Sequence, residues 1–493
     1  MDWNTSTLVI AGTGAFVVGA AVVVVLVATL IWLFMQSTGR KTIPVACLLF
    51  GLCLELIFVK QPYLQLGLQI YPNDVISLFV LLSALAGMFY RPVPIYHSGF
   101  VVWLALGGTI ILSFVLGLAE FGRYAGTEVR PFFYIWVAGL YCAMADFDEA
   151  DLRRIGRWCL WTAYAIIGIA LYLWAAVETG FIVRAELFGE EGGAVFRPVG
   201  SHGVFFVATV AMVQTMAWLR GSGGKRSGWH AAVLLTFVLV LQHRSVWIAT
   251  LAGLLMVMAL ERRHLPRRFP LLLAFVLMVT LGVSIAAWFG YLDDLARQLT
   301  QSTLSMTDSG GTFAARIDGW IRLFESWVEG SVRVLMFGFP FGKGYTRYYN
   351  GQLIEFAPHN FFLDLLLRVG VVGLLLFMIA TVMAIVYAWR SRTDSEADYL
   401  IKRGLAVGLV ASLFYYVAYH SYYVLGAATG IALALMMRRP KAAPVASLKP
   451  VVGRIDPPQK PTPPQRPTPP QPLGPPSSRY HLNTAVHDRG HRR

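Results

Sequence analysis

Long apolar runs limit what this chain can fold into more than any motif does. Runs of about 18 or more residues with few charges recur along most of its length, the pattern of helices that cross a bilayer. They leave the chain 56% hydrophobic and only 14% charged over 493 residues. Spans are predicted near 8–35, 43–59, 73–90, 99–119, 131–145, 157–178, 202–219, 229–242, 245–260, 269–289, 360–389, 401–418 and 420–437. In the pairs 229–242/245–260 and 401–418/420–437 each member is shorter than a full crossing. The first run, Leu8–Met35, lacks the basic flank and cleavage site of a signal peptide and is expected to stay as a span. The expected fold is an all-α polytopic membrane protein of about 12–13 transmembrane helices.

Basic residues fix the expected orientation. Arg40/Lys41, Arg91, Arg153/Arg154/Arg157, Arg220/Lys225/Arg226, Arg262/Arg263/Arg267/Arg268 and Arg390/Arg392/Lys402/Arg403 all fall on one side of a thirteen-span arrangement. The positive-inside rule makes that side cytoplasmic. The N-terminus and the soluble stretch 290–358 then lie outside. Residues 1–289 carry the first ten spans, 290–358 form one large outer loop or cap, 359–437 return to the membrane, and 438–493 form a cytoplasmic tail.

A net charge of +14 would suit a nucleic-acid partner, but its placement argues against one. The tail from Arg438 holds eleven Lys/Arg against two Asp, so nine of the fourteen charges sit there. Most of the rest lies in short loops and encodes topology, with some attraction to anionic membrane lipid. The tail is rich in Pro and Gln (PPQKPTPPQRPTPPQPLGPP), a composition that favours extended polyproline segments over a packed core. It suits either a flexible extension or docking to a partner with an aromatic groove. Cys47, Cys53, Cys142 and Cys159 fall in predicted spans without a C-x-x-C pair and read as inert core thiols.

The chemistry is expected in and around the stretch from Tyr291 to Gly373, where aromatics, Gly-rich turns, arginines and a histidine gather. Charges at the mouth of a membrane bundle are costly and usually functional. Arg197 and His202 stand in VFRPVGSHGVFF, Arg244 in LVLQHRSVWIATLAGLL, Arg316 and Arg322 in TFAARIDGWIRLF, and His359-Asn360 in APHNFFLDLLLRVG. All fall on the outer side of the expected topology. Several guanidiniums without a balancing carboxylate cluster suit an anion with many oxygens, because Arg contacts phosphate in a planar, bidentate way. A lipid-linked diphosphate is the natural candidate. A histidine beside it could act as general base on a hydroxyl. No D-x-D pair offers a site for Mg²⁺, and arginine charge could do that neutralising work. Structural roles stay open for each residue. Arg197 could pair with Glu190 or Glu191, Arg244 could snorkel to the interface, Arg316 could pair with Asp318, and Asn360 could be a helix cap. Asp364 and Arg368, four apart on a helix, are expected to pair with each other.

These residues carry a resemblance. HNFFLDLLLRVGVVGLLLF resembles the His-Asn segment of the bacterial O-antigen ligase and polymerase superfamily. QHRSVWIATLAGLLM resembles its Arg motif opening a span, FRPVGSHGVFFVATV its Arg-x-x-Gly stretch, and ARIDGW with GFPFGKGY its Arg-x-x-x-Trp and Gly-x-Gly loop elements. The four stand in order over 195–390, about two fifths of the chain. Arg368 departs from the acidic or neutral residue expected there.

The resemblance implies a lipid-sugar-dependent (GT-C type) glycosyltransferase of the bacterial inner membrane, working at the periplasmic face without cofactor or metal. Such proteins move a glycan from undecaprenyl diphosphate to an acceptor hydroxyl and invert the anomeric centre. Carried over, Arg244, Arg316 and Arg197 would bind the diphosphate and His359 would activate the acceptor, with Asn360, Arg322 and His202 in support. The leading expectation is polymerisation of exopolysaccharide or O-antigen repeat units; the alternatives are ligation to lipid A core and a lipid-linked oligosaccharide flippase. Partners expected besides the donor and acceptor glycan are membrane lipid and polysaccharide export or chain-length proteins.

Overall fold

The computed structural model describes residues 40–58, 62–65, 69–90, 97–182, 197–268, 270, 312–349, 352–420 and 422–437. The expected span 8–35, all but residue 270 of 269–289, the start of the soluble stretch, Glu190 and Glu191, and the tail from 438 lie outside these residues. Each of the other expected spans coincides with a helix. The first six are α1 (Ile43–Ile57), α2 (Pro72–Tyr90), α3 (Ser98–Phe121), α4 (Arg123–Met144), α5 (Glu149–Glu178) and α6 (Ser201–Arg220). Then come α7 (Gly224–Val240), α8 (Arg244–Leu260), α9 (Thr312–Val328), α10 (Val332–Phe337), α11 (Phe361–Arg390), α12 (Glu396–Tyr415) and α13 (Tyr423–Met437). Two short antiparallel hairpins interrupt them, Leu64–Gln65 with Gln69–Ile70 and Arg347–Tyr349 with Gln352–Ile354.

Among the described helices α2, α3, α5, α6 and α11 are long and apolar enough to cross a membrane, and α1, α8 and α13 are shorter apolar helices. The protein is an all-α membrane protein. Helices suit that setting because every backbone polar group inside them is satisfied within the segment. α9 is different: it is amphipathic, with Leu323 and Trp327 buried and Ile321 and Phe324 exposed.

The second half of α4 is buried continuously from Ile135 to Ala143, the mark of a helix enclosed by others. In lipid such packing depends on close backbone approach rather than on a hydrophobic drive between helices. Two contacts provide it. Trp103 of α3 and Trp136 of α4 each donate an indole N–H to the other's backbone carbonyl at 3.1 Å. On the other flank α13 presents Gly426 and Gly430, where an added Cβ would lie 1.9 Å from the Ile135 carbonyl oxygen and 2.2 Å from that of Gly139. Gly430→Leu is therefore expected to destabilise the protein by about 1–3 kcal/mol or more through overpacking. Thermal unfolding in detergent reads this, and an unchanged midpoint would contradict the backbone contact.

The segment that frames the site hangs on a break in α11. Gly370 takes a φ of 66°, which interrupts the helical ladder. The carbonyls freed there find other donors: Leu367 accepts from the Phe339 N–H at 2.7 Å and Arg368 from the Ser113 hydroxyl at 2.7 Å. Arg368 itself corrects the expected pairing with Asp364. Its guanidinium, 1% exposed, pairs with Glu128 of α4 at 2.7 Å and donates to the Gly344 carbonyl at 2.8 Å and the Tyr345 hydroxyl at 3.2 Å. Asp364 is engaged elsewhere: it accepts from the Tyr345 hydroxyl at 2.6 Å and lies 3.5 Å from His420. The i,i+4 rule is a local preference, and here the tertiary partners outcompete it.

Candidate active site

The ends of five helices come together where the apolar pattern breaks. The start of α6 meets the α7–α8 break, because the His243 ring lies 3.1 Å from the Val199 carbonyl. That carbonyl only accepts, so Nε2 carries the proton and the ring fixes the turn that bears Arg197. The end of α12 meets the starts of both α6 and α11: Tyr415 donates to Ser201 at 2.8 Å, and the Phe361 N–H donates to the Tyr416 carbonyl at 3.0 Å. Both predicted short pairs are thus two separate helices, and each break carries polar residues to this end. Gln242 in the first break adopts a left-handed φ of 54°, a conformation that only surrounding packing sustains in a residue with a Cβ.

Charge gathers around Tyr419 in the second break. The Arg316 guanidinium lies 5.8 Å from its ring centroid, and Tyr419 and Arg197 both act electrostatically on Arg244. His359 packs against Tyr419 at 6.4 Å and against His420 at 5.3 Å between ring centroids. Burial, reinforced by the neighbouring Arg316, His420 and Arg347, pushes the His359 imidazole down to about 4. It is therefore neutral at pH 7 and able to accept a proton. Burial and Arg197 likewise push His243 down to about 4.

The arrangement thus brings together Arg197, Arg244, Arg316 and His359. Among the described residues no carboxylate forms an ion pair with Arg197 or Arg316, and the Arg197 Nε is buried without a hydrogen-bond partner. Asp318 pairs with Arg322 at 2.7 Å instead. That pair is half-exposed on the helix surface, so Arg322 does not join the group. Asn360 is the N-cap of α11, its side chain accepting from the Leu363 N–H at 3.0 Å. His202 lies 3.7 Å from Glu55 and stacks on Tyr422 at 4.8 Å.

His359 also lines a cavity of about 450 Å³, shared with Tyr419, His420, His202 and Glu55. Sequence reasoning missed both His420 and Glu55. A signal existed for each: a lone histidine among tyrosines in YYVAYHSYYV, and a lone acid in the apolar run LFGLCLELIF. Among the described residues no three His, Cys, Asp or Glu side chains come together in a group that could hold a metal ion.

One comparison bears on this geometry. Residues 229–378 match the family model for O-antigen ligase. That match supports the resemblance to the O-antigen ligase and polymerase superfamily. No curated protein matches the chain. The matched segment includes Arg244, Arg316 and His359, whereas Arg197, Glu55, Tyr419 and His420 reach the same site from outside it.

Proposed function

We propose that the protein is a metal-independent glycosyltransferase of the bacterial inner membrane that polymerises exopolysaccharide or O-antigen repeat units at the periplasmic face. The donor is a glycan on undecaprenyl diphosphate, and the acceptor is a hydroxyl of another lipid-linked glycan. The observation that carries this reading is the meeting of three arginines with one neutral histidine around Tyr419. Arg197, Arg244 and Arg316 hold the diphosphate and stabilise the charge it gains on leaving. His359 takes the proton of the acceptor hydroxyl as its oxygen attacks the anomeric carbon. The bond from that carbon to the diphosphate oxygen breaks on the opposite face, so the anomeric centre inverts. The loop charges support a thirteen-span topology with the 290–358 cap outside, and the basic Pro-rich tail supports a cytoplasmic export or chain-length partner.

Deletion of the gene tests the reading. Lipid-linked single repeats accumulating without long polymer support a polymerase. Long polymer on the carrier but absent from lipid A core favours the O-antigen ligase reading, which the family match suggests. Unchanged glycans refute both, and loss of periplasmic donor would favour a flippase.

The depressed pKa of His359 sets a pH dependence. Below about 4 the ring is charged and cannot accept a proton, so kcat/KM falls as pH drops through about 4 and is insensitive to His359 above it. Arg316→Gln removes a positive neighbour and moves this acid limb to higher pH. A limb that stays in place in the variant would contradict the coupling.

A further inference from the structure

The cavity beside His359 belongs to a different part of the chain from the O-antigen ligase segment. Of the residues lining it, His359 alone falls within 229–378. Its walls come from α1, α2, α4, α6, α12 and α13 and from the break before α13. Its volume, about 450 Å³, falls within the roughly 300–1,000 Å³ of small-ligand sites.

Its chemistry is that of a sugar site. Six tyrosines, Tyr71, Tyr134, Tyr415, Tyr419, Tyr422 and Tyr423, line it, and Asn73 and Ser201 add polar groups among them. An aromatic wall that carries hydroxyl, amide and carboxylate groups suits a pyranose, which offers apolar C–H patches and hydroxyls together.

Its wall also carries an acid, Glu55. Glu55 is held by hydrogen bonds from Asn73 at 2.8 Å and from the Tyr422 hydroxyl, and among the described residues no Lys or Arg forms an ion pair with it. The one arginine in the wall, Arg130, is already paired with Asp74 at 3.2 Å. His359 and Tyr419 thus belong both to the arginine group and to a cavity that carries Glu55 in its wall.

We propose that this cavity is the subsite for the terminal sugar of the acceptor and that Glu55 restricts it to sugars without a carboxylate. This rests on the glycosyltransferase reading above. A neutral sugar seated here presents a hydroxyl to His359, while the donor diphosphate is held by Arg197, Arg244 and Arg316. A uronic acid would meet Glu55 with like charge in a partly desolvated site, where such a contact is strongly unfavourable.

Saturation-transfer NMR on the full-length protein in nanodiscs tests this, with methyl glycosides of glucose, galactose, mannose and N-acetylglucosamine beside methyl glucuronide and methyl galacturonide. At least one neutral glycoside is expected to bind, with its uronide weaker by about tenfold or more. Glu55→Gln, which keeps the side-chain shape, should bring the two within about twofold. Thr127→Trp should fill the cavity from an exposed position of its wall and abolish the neutral signal. Equal binding of neutral sugars and uronides to the wild type, no binding by any glycoside, or binding unchanged by Thr127→Trp would each overturn the proposal. Normal glycans from the deletion strain would overturn the glycosyltransferase reading and with it the acceptor role. A polymer defect combined with silent or carboxylate-blind NMR would overturn the subsite alone.

Discussion

Replacing Arg368 with alanine is expected to destabilise the protein by about 3–5 kcal/mol, the range seen when one partner of a buried ion pair is removed. Domains are commonly stable by only about 5–15 kcal/mol, so this is a large share. The guanidinium is 1% exposed and ties three pieces of structure together: α11, Glu128 of α4, and the turn 338–345. Glu128 also accepts from the Gly342 N–H at 2.8 Å, so removing Arg368 leaves that partly buried carboxylate with its countercharge gone. The turn would lose its anchor, and with it Tyr345, whose hydroxyl holds Asp364 beneath His420. Thermal unfolding in detergent should show Arg368→Ala worse than an exposed control such as Arg322→Ala, whose pair with Asp318 lies on the surface. The double variant Arg368→Met with Glu128→Met should recover part of the loss, because it buries no lone charge. A single variant within about 0.5 kcal/mol of wild type would contradict the clamp.

His359→Ala is expected to abolish long polymer while the protein still inserts and folds. The ring is only half-buried and is not the N-cap of α11, since Asn360 holds that position. Loss of a general base typically slows a reaction by about 10²–10⁴-fold. A rate reduced that far leaves lipid-linked single repeats in the membrane, the phenotype expected of the deletion strain. His420, 5.3 Å from His359 and 3.5 Å from Asp364, bounds the space in which His359 can turn. Normal glycans from an inserted His359→Ala protein would refute the mechanism, whatever the arginines bind.

The positions of the helices were legible because they follow from a local property. A run of apolar residues in lipid has one way to satisfy its backbone, and the breaks between runs are visible as Gln242-His243-Arg244 and the tyrosine-rich 415–423. The ionisable residues of the site were legible for a similar reason. An arginine or histidine at the edge of an apolar run is costly enough to stand out, and Arg197, Arg244, Arg316 and His359 were each visible singly.

What they face could be decided only by the tertiary structure. Arg322, which sequence spacing groups with Arg316, turns to Asp318 because a helix carries residues four apart on one face. Asp364 and Arg368 are also four apart and part company, because Gly370 breaks the helix and brings the 338–345 turn, Tyr345 and Glu128 within reach. Spacing along the chain reports which groups can meet within one helix. Which helix ends share a cavity depends on close approaches such as Gly430 against Gly139 and on the Val199–His243 contact, between residues that no local pattern relates. The sequence by itself thus determined the helices and the cost of their charges. Packing between distant segments decided that three arginines gather near Tyr419 and His359 and that both residues also line a tyrosine-rich cavity with Glu55.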